Sequence, residues 1–258
     1  MVAIVRRVAV QKRAPTDPGY ANATATNQGA APGAAAPPPD PTVRFWEPIL
    51  HDWTPKEQTP HDENLEVYTN AEEVELFLNG KSLGIEKLHA DASAITFKVP
   101  FEAGTLKAVA RSGGKIVATD ELKTAGKPAR IVFAADLPTV PLTPDWNDVR
   151  YVTATLVDEA GTRIPDSETV IHFAATGPVS IVAVDNGNLI DHDPYLATQR
   201  KLYYGNALAL LRATGTTGKV TVTARTDGVP SATVTLTTAP ISAEDQAIAK
   251  PAATERGF

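Results

Sequence analysis

The stretch EEVELFLNGKSLG, residues 72–84, decides how the first half of the chain folds. Val74, Leu76 and Leu78 alternate with Glu73, Glu75 and Phe77. A period of two is typical of a strand with one buried face. Asn79-Gly80 ends that strand, and both residues tolerate a positive φ. An Asn-Gly pair between two alternating runs predicts a two-residue turn, so the stretch is interpreted as a β-hairpin.

The composition limits the class of protein. The chain has 258 residues, no Cys and 43% hydrophobic residues, which allows two small domains that are each held by their own core. The net charge is -6, and no basic run alternates with aromatic residues, so nucleic acid is not expected as a partner. No apolar stretch reaches the roughly 18 residues of a membrane helix, and we predict neither a membrane anchor nor a signal peptide.

Short alternating runs continue along most of the chain, separated by Gly, Pro and Asn, and no helical period is present. This pattern predicts an all-β protein with two tandem β-sandwich domains, over residues 43–126 and 127–240. Residues 1–42, rich in Pro and Ala, are interpreted as a disordered linker whose first 13 residues have no partner nearby, and residues 241–258 as a flexible tail. We expect strands near residues 65–69, 73–78, 82–88, 94–99, 105–111, 115–123, 129–134, 149–157, 169–175, 179–184, 207–213, 219–225 and 232–238.

Two longer strings resemble a known family. VYTNAEEVELFLNGKSLG, residues 67–84, resembles the immunoglobulin-like domain that follows the catalytic barrel in β-galactosidases of glycoside hydrolase family 2. GPVSIVAVDNGN, residues 177–188, resembles the fifth, invasin-like domain of the same enzymes. The resemblance covers residues 43–240 and implies that both predicted domains are immunoglobulin-like sandwiches.

The resemblance also implies a function. The chain would be the non-catalytic C-terminal accessory module of a β-galactosidase-like enzyme, encoded as a separate or truncated product, with a catalytic barrel as its partner in cis or in trans. A barrel takes about 250 residues of strand-helix units, and its two catalytic glutamates have no counterpart in this chain. We therefore predict no catalytic residue and no cofactor. The resemblance also implies a parent enzyme that is periplasmic or secreted. A free-standing carbohydrate-binding module remains the alternative, followed by an adhesive immunoglobulin-like array.

Aromatic residues are the candidates for carbohydrate or barrel contact. Tryptophan rings stack on the apolar faces of sugars, but they also cover seams between domains, and the second interpretation is favoured for Trp46 and Trp53. A free-standing binding module requires an exposed aromatic platform. Its candidates, for which ordinary packing is the competing interpretation, are Trp146, Tyr195, Tyr203 and Tyr204.

Acidic residues provide the remaining candidates. Glu73 and Glu75 share one strand face about 7 Å apart, and we interpret them as a solvated outer face rather than a catalytic pair. An oxygen-rich loop could hold Ca²⁺, but it lacks the helices and the twelfth-position Glu of the helix-loop-helix motif, so turns capped by Asx side chains are favoured. The residues of that loop are Asp185, Asn186, Asp191 and Asp193. The five scattered histidines do not predict a zinc site.

Overall fold

A computed structural model describes residues 1–8, 49–143 and 148–240 of the chain. The regular structure of these residues consists of sixteen β-strands, β1 to β16, without a helix among them. Accordingly, the described part of the chain has no helix long and apolar enough to cross a membrane. The chain divides into two compact units, one formed by Met1–Trp53 and Gln58–Leu122, the other by Thr54–Glu57 and Lys123–Phe258. The predicted all-β class is confirmed.

The first unit is a sandwich of two four-stranded sheets, in the orders β2-β1-β3-β6 and β5-β4-β7-β8. Alternate side chains of both sheets meet in one core that includes Ile4, Leu65, Leu76 and Leu106, all buried. Full burial of an aliphatic side chain contributes roughly 1.5–3 kcal/mol, so this core holds the unit without disulfides. The strands are β1 (Val2–Arg7), β2 (Ile49–Leu50), β3 (Asp62–Thr69), β4 (Glu73–Leu78), β5 (Lys81–Lys87), β6 (Ile95–Pro100), β7 (Thr105–Ser112) and β8 (Lys115–Lys123).

Strand β1 corrects the interpretation of the N-terminus. The first 13 residues were expected to have no partner, yet Val2–Arg7 pairs with β3 on one side and β2 on the other. Ile4 lies in the core, and Arg6 is buried because its guanidinium meets Asp52 at 2.9 Å. The partner strand begins some sixty residues downstream, beyond the reach of local patterns. The predicted linker therefore excludes residues 2–7, whereas residues 9–48 and the predicted tail lie outside the described residues.

The turn between β4 and β5 confirms the predicted hairpin. Asn79 and Gly80 have φ values of 50° and 80°, as a type I′ turn requires. The Oδ1 atom of Asn79 accepts the backbone N–H of Thr105 at 2.8 Å, and its Nδ2 donates to the carbonyl of Ala103 at 3.2 Å. The turn residue therefore also fixes the hairpin to the start of β7.

The second unit is also a sandwich, with sheet orders β12-β14-β10-β9 and β13-β11-β15-β16. Its core includes Val152, Leu156, Ile171, Leu211 and Val222. All strands predicted here are present, and the short β13 is additional because its QRK sequence has no alternating apolar residues. The strands are β9 (Arg130–Ala135), β10 (Val149–Val157), β11 (Val170–Thr176), β12 (Val179–Asp185), β13 (Gln199–Lys201), β14 (Asn206–Ala213), β15 (Gly218–Arg225) and β16 (Ala232–Thr238).

Candidate functional site

The β12–β13 loop, residues 186–198, contains the oxygen-rich cluster that the sequence singled out. Asp185 Oδ1 accepts the backbone N–H of Gly187 at 3.2 Å, and Asn186 Oδ1 accepts that of Asn188 at 2.9 Å. Asp191 Oδ1 in turn accepts the N–H of Asp193 at 2.9 Å. These are successive Asx turns, in which side-chain oxygens cap their own backbone. Within the described residues no group of three acidic or histidine side chains could hold a metal ion.

Arg200 provides the positive charge at the base of this loop. Its side chain is fully buried, because Arg200 lies on β13 opposite Ile171 of β11. Its Nη1 donates to the carbonyl of Asp193 at 2.6 Å, and its Nε lies 3.3 Å from Asp191 Oδ2. The hydrogen bond from the Asp193 backbone holds the pKa of Asp191 below its usual value, and Asn186 and Arg200 act in the same direction.

The outer part of the loop is apolar and exposed. We define the apolar tip as Leu189, Ile190, Tyr195 and Leu196, whose exposed fractions are 97%, 69%, 54% and 88%. The carbonyl of Tyr195 accepts the backbone N–H of Val184 at 2.9 Å, which fastens the loop to β12. The Arg200 guanidinium lies 5.0 Å from the centre of the Tyr195 ring. A polar, buried base thus carries an apolar, solvent-facing tip.

The other aromatic candidates occupy structural positions. Trp53 is fully buried in the first unit, where its ring centre lies 5.2 Å from that of Phe101 and its Nε1 donates to the carbonyl of Glu102 at 3.0 Å. Its ring therefore forms part of the core of the first unit and is not exposed for stacking on a sugar. Tyr203 and Tyr204 contact each other in the turn before β14, with ring centres 4.3 Å apart. Trp46 and Trp146 lie outside the described residues.

Glu75 belongs to the outer face of β4, as the alternating pattern indicated. Its carboxylate meets Arg111 Nη1 at 2.9 Å and accepts the hydroxyl of Ser82 at 2.8 Å. Neighbouring Glu73 is half-buried on the same face, whereas Val74 on the opposite face is fully buried. The Glu75 carboxylate therefore serves as the ion-pair partner of Arg111 on the neighbouring strand β7.

A second polar cluster, on the outer face of the first unit, was not found by sequence reasoning. Glu66 meets Arg7 Nε at 2.5 Å and accepts the hydroxyl of Tyr68 at 2.7 Å. Burial opposes ionisation, but these two partners outweigh it and hold the pKa of Glu66 below its usual value. The same hydrogen bond raises the pKa of Tyr68. A groove of about 290 Å³ lies beside the cluster, lined by Arg7, Asn64, Leu65, Glu66, Thr96, Phe97 and Lys98.

Two self-contained sandwiches with a structured loop define a tandem β-sandwich module, and known families share this arrangement. The family model for glycoside hydrolase family 2 C-terminal domain 5 matches residues 138–235, and a domain of unknown function, DUF4982, matches residues 62–118. Residues 138–235 thus match a C-terminal domain of glycoside hydrolase family 2 enzymes, and the predicted resemblance is confirmed.

Whole proteins with this module are much longer. A β-galactosidase of Bacteroides ovatus, BoGH2A, is 37% identical over 189 residues, covering 71% of this chain and 22% of the relative. A family 2 glycosyl hydrolase structure from Bacteroides cellulosilyticus is 31% identical with a TM-score of 0.75, covering 92% of this chain and 28% of the other. A β-glycosidase structure from Bacteroides vulgatus is 27% identical with a TM-score of 0.66, covering 72% and 24%. The chain thus spans about a quarter of these proteins.

Proposed function

We propose that this chain is the non-catalytic C-terminal accessory module of a β-galactosidase-like family 2 glycosidase. The observation that carries the proposal is that nearly the whole chain aligns with the C-terminal part of a larger family 2 enzyme, at significant sequence identity. A retaining glycosidase needs two carboxylates about 5–5.5 Å apart on rigid elements. In this proposal the barrel of the enzyme supplies them, and the module supports that barrel.

The geometry of the module suits such support. Each unit has a continuous core of its own, so each is a rigid body rather than a flexible appendage. Among the described residues, carboxylates such as Glu66 and Asp191 have lowered pKa values because arginine or backbone N–H groups donate hydrogen bonds to them or lie close to them. These groups are committed to structure, whereas a general acid needs a pKa raised toward the working pH.

The coding sequence upstream of Met1 provides the first test. We expect a barrel with two glutamates there or in an adjacent gene, and the chain joined to it should hydrolyse a nitrophenyl β-galactoside. The chain alone should fold, as shown by a cooperative calorimetric transition, and give no turnover. Hydrolysis by the chain alone that disappears when one of its own carboxylates is substituted would refute the proposal.

A free-standing carbohydrate-binding module is the second candidate. Tyr195 favours it, because the residue is 54% exposed and the Arg200 guanidinium lies 5.0 Å from its ring centre. Such a platform should bind a soluble β-galactan, and Tyr195→Ala should abolish that binding in isothermal titration. Tyr151, also an exposed tyrosine of the second unit, gives the matched control as Tyr151→Ala. Equal binding by both variants would dismiss this role.

A further inference from the structure

The apolar tip is unusual because its side chains are exposed although its backbone is fixed. Leu189 and Leu196 are 97% and 88% exposed, so neither packs against the sandwich that carries them. Scattered exposed apolar residues are ordinary, but the tip has four large apolar residues exposed within eight positions of one loop, and such a concentration is typical of an interaction site. None of the four tip residues belongs to the core of the second unit, so an external partner is a physical explanation for their exposure.

The loop is held in shape from below. The buried Asn186 donates from its Nδ2 to Asp191 at 2.8 Å and to the carbonyl of Lys201 at 3.0 Å. Buried Arg200 adds its hydrogen bond to the carbonyl of Asp193 and its contact with Asp191. A loop that is already ordered loses little conformational entropy on binding, which is the usual advantage of a preorganised interface.

The surroundings of the tip specify the chemistry of the partner. Exposed His192 and Asp193 lie between the two apolar pairs along the loop, and a combination of apolar and polar side chains is typical of protein interfaces. The partner surface should therefore be an apolar hollow with a basic rim opposite Asp193. About three quarters of the relatives' length lies outside the region this chain matches, so a large neighbouring surface exists in such enzymes.

We propose that the apolar tip docks into an apolar hollow on another domain of the same family 2 glycosidase. This inference rests on the proposed function, since it names the surface by which the accessory module joins the rest of the enzyme. Leu189 and Leu196 are the central contacts, and Ile190 and Tyr195 border them. The contacts of Arg200 with Asp191 and Asp193 hold the loop that carries these residues.

Thiol labelling provides a direct test because the chain contains no Cys. The variant Leu189→Cys is compared with the control Leu137→Cys, an exposed apolar position elsewhere in the second unit with 51% exposure. Each is prepared in the chain alone and in the barrel-bearing enzyme that the proposed function expects, and maleimide labelling at that position is followed by mass spectrometry. In the chain alone both should label rapidly. In the enzyme we expect L189C to label roughly tenfold more slowly and L137C at an unchanged rate.

The outcomes separate the inference from the proposed function. Equal labelling of L189C in both forms, in an enzyme that hydrolyses galactosides, would overturn the docking surface and leave the accessory role intact. Protection of L189C in the chain alone that increases with protein concentration would also overturn it, by assigning the tip to a second copy. The double variant Leu189→Asp/Leu196→Asp should lower the melting temperature of the enzyme but leave that of the chain alone unchanged.

Discussion

Replacing Arg200 by Met is the sharpest test of how the β12–β13 loop is stabilised. The guanidinium is fully buried and lies 3.3 Å from Asp191 Oδ2 and 3.9 Å from Asp185 Oδ1. Met has a similar length but no charge, so Asp191 would remain nearly buried without its cation. Removing one partner of a buried ion pair costs about 3–5 kcal/mol. Because Asp191 keeps hydrogen bonds from Asp193 and Asn186, we expect the lower end, about 3 kcal/mol.

Scanning calorimetry of the chain measures this loss. For a unit of this size 1 kcal/mol corresponds to roughly 4 °C, so the transition of the second unit should fall by about 12 °C. The transition of the first unit should not move, since Arg200 lies in the second. Arg225→Met is the matched control, because Arg225 is exposed at the end of β15 and its loss should shift the transition by less than 2 °C, roughly 0.5 kcal/mol.

A double-mutant cycle distinguishes the ion pair from simple packing. If Arg200 acts through Asp191, the variant Arg200→Met/Asp191→Asn should lose less stability than the two single variants combined, with a coupling of roughly 1–3 kcal/mol. Additive losses, or a fall of less than 3 °C for Arg200→Met alone, would refute the reasoning. In that case the contact between Arg200 and Asp191 would contribute no net stability. Such a result would be consistent with the buried Nε and Nη2 atoms, which make no well-aligned hydrogen bond.

Three further changes test other parts of the fold. Trp53→Ala removes a fully buried ring and should cost about 4 kcal/mol in the urea unfolding of the first unit. Gly104→Ala should cost about 2 kcal/mol by the same assay, because its φ is 140° and the new Cβ would overlap Asn79 Oδ1. Burial raises the pKa of Asp158, but the backbone N–H of Gly126 and other donors outweigh it and lower that pKa overall. Its stabilisation is therefore complete above the unfolded pKa of about 3.9 and disappears as the pH falls through the lower folded value. Asp158→Asn should flatten the dependence of stability on pH in that acid range.

Local patterns predicted most of the fold because the information was local. The alternating residues of β4 and the Asn79-Gly80 turn lie within a few positions of one another, so their geometry follows from period and turn chemistry. The pairing of β1 was missed for the opposite reason, since its partner β3 begins at Asp62. Its buried Arg6 also disguised the apolar face, because an arginine is read as exposed unless its acidic partners are known.

The candidate site was predicted only in part. The cluster of Asp185, Asn186 and Asp191 was found as a loop of Asx turns, since such side chains cap nearby backbone. The role of Arg200 could not be deduced, because it depends on pairing between β13 and β11. The available signal was a basic residue directly after an acidic loop. Trp53, in contrast, was interpreted as covering a seam between domains, and its contact with Phe101 was not predicted because Phe101 lies far downstream.

The polar base and the apolar tip of the β12–β13 loop are best explained together. Replacing both partners of a buried ion pair such as Arg200 with Asp191 by well-packed apolar residues is often neutral, although removing one partner alone is costly, so net stability does not account for the pair. Its groups instead fix directions, since each hydrogen bond of Arg200 and Asn186 ends on a specific loop atom. We infer that this base keeps Leu189 and Leu196 at the surface, because a loop without it would collapse its apolar side chains onto the sandwich. The exposed tip is then a consequence of the buried charges beneath it, and the loop is ready to bind before any partner arrives.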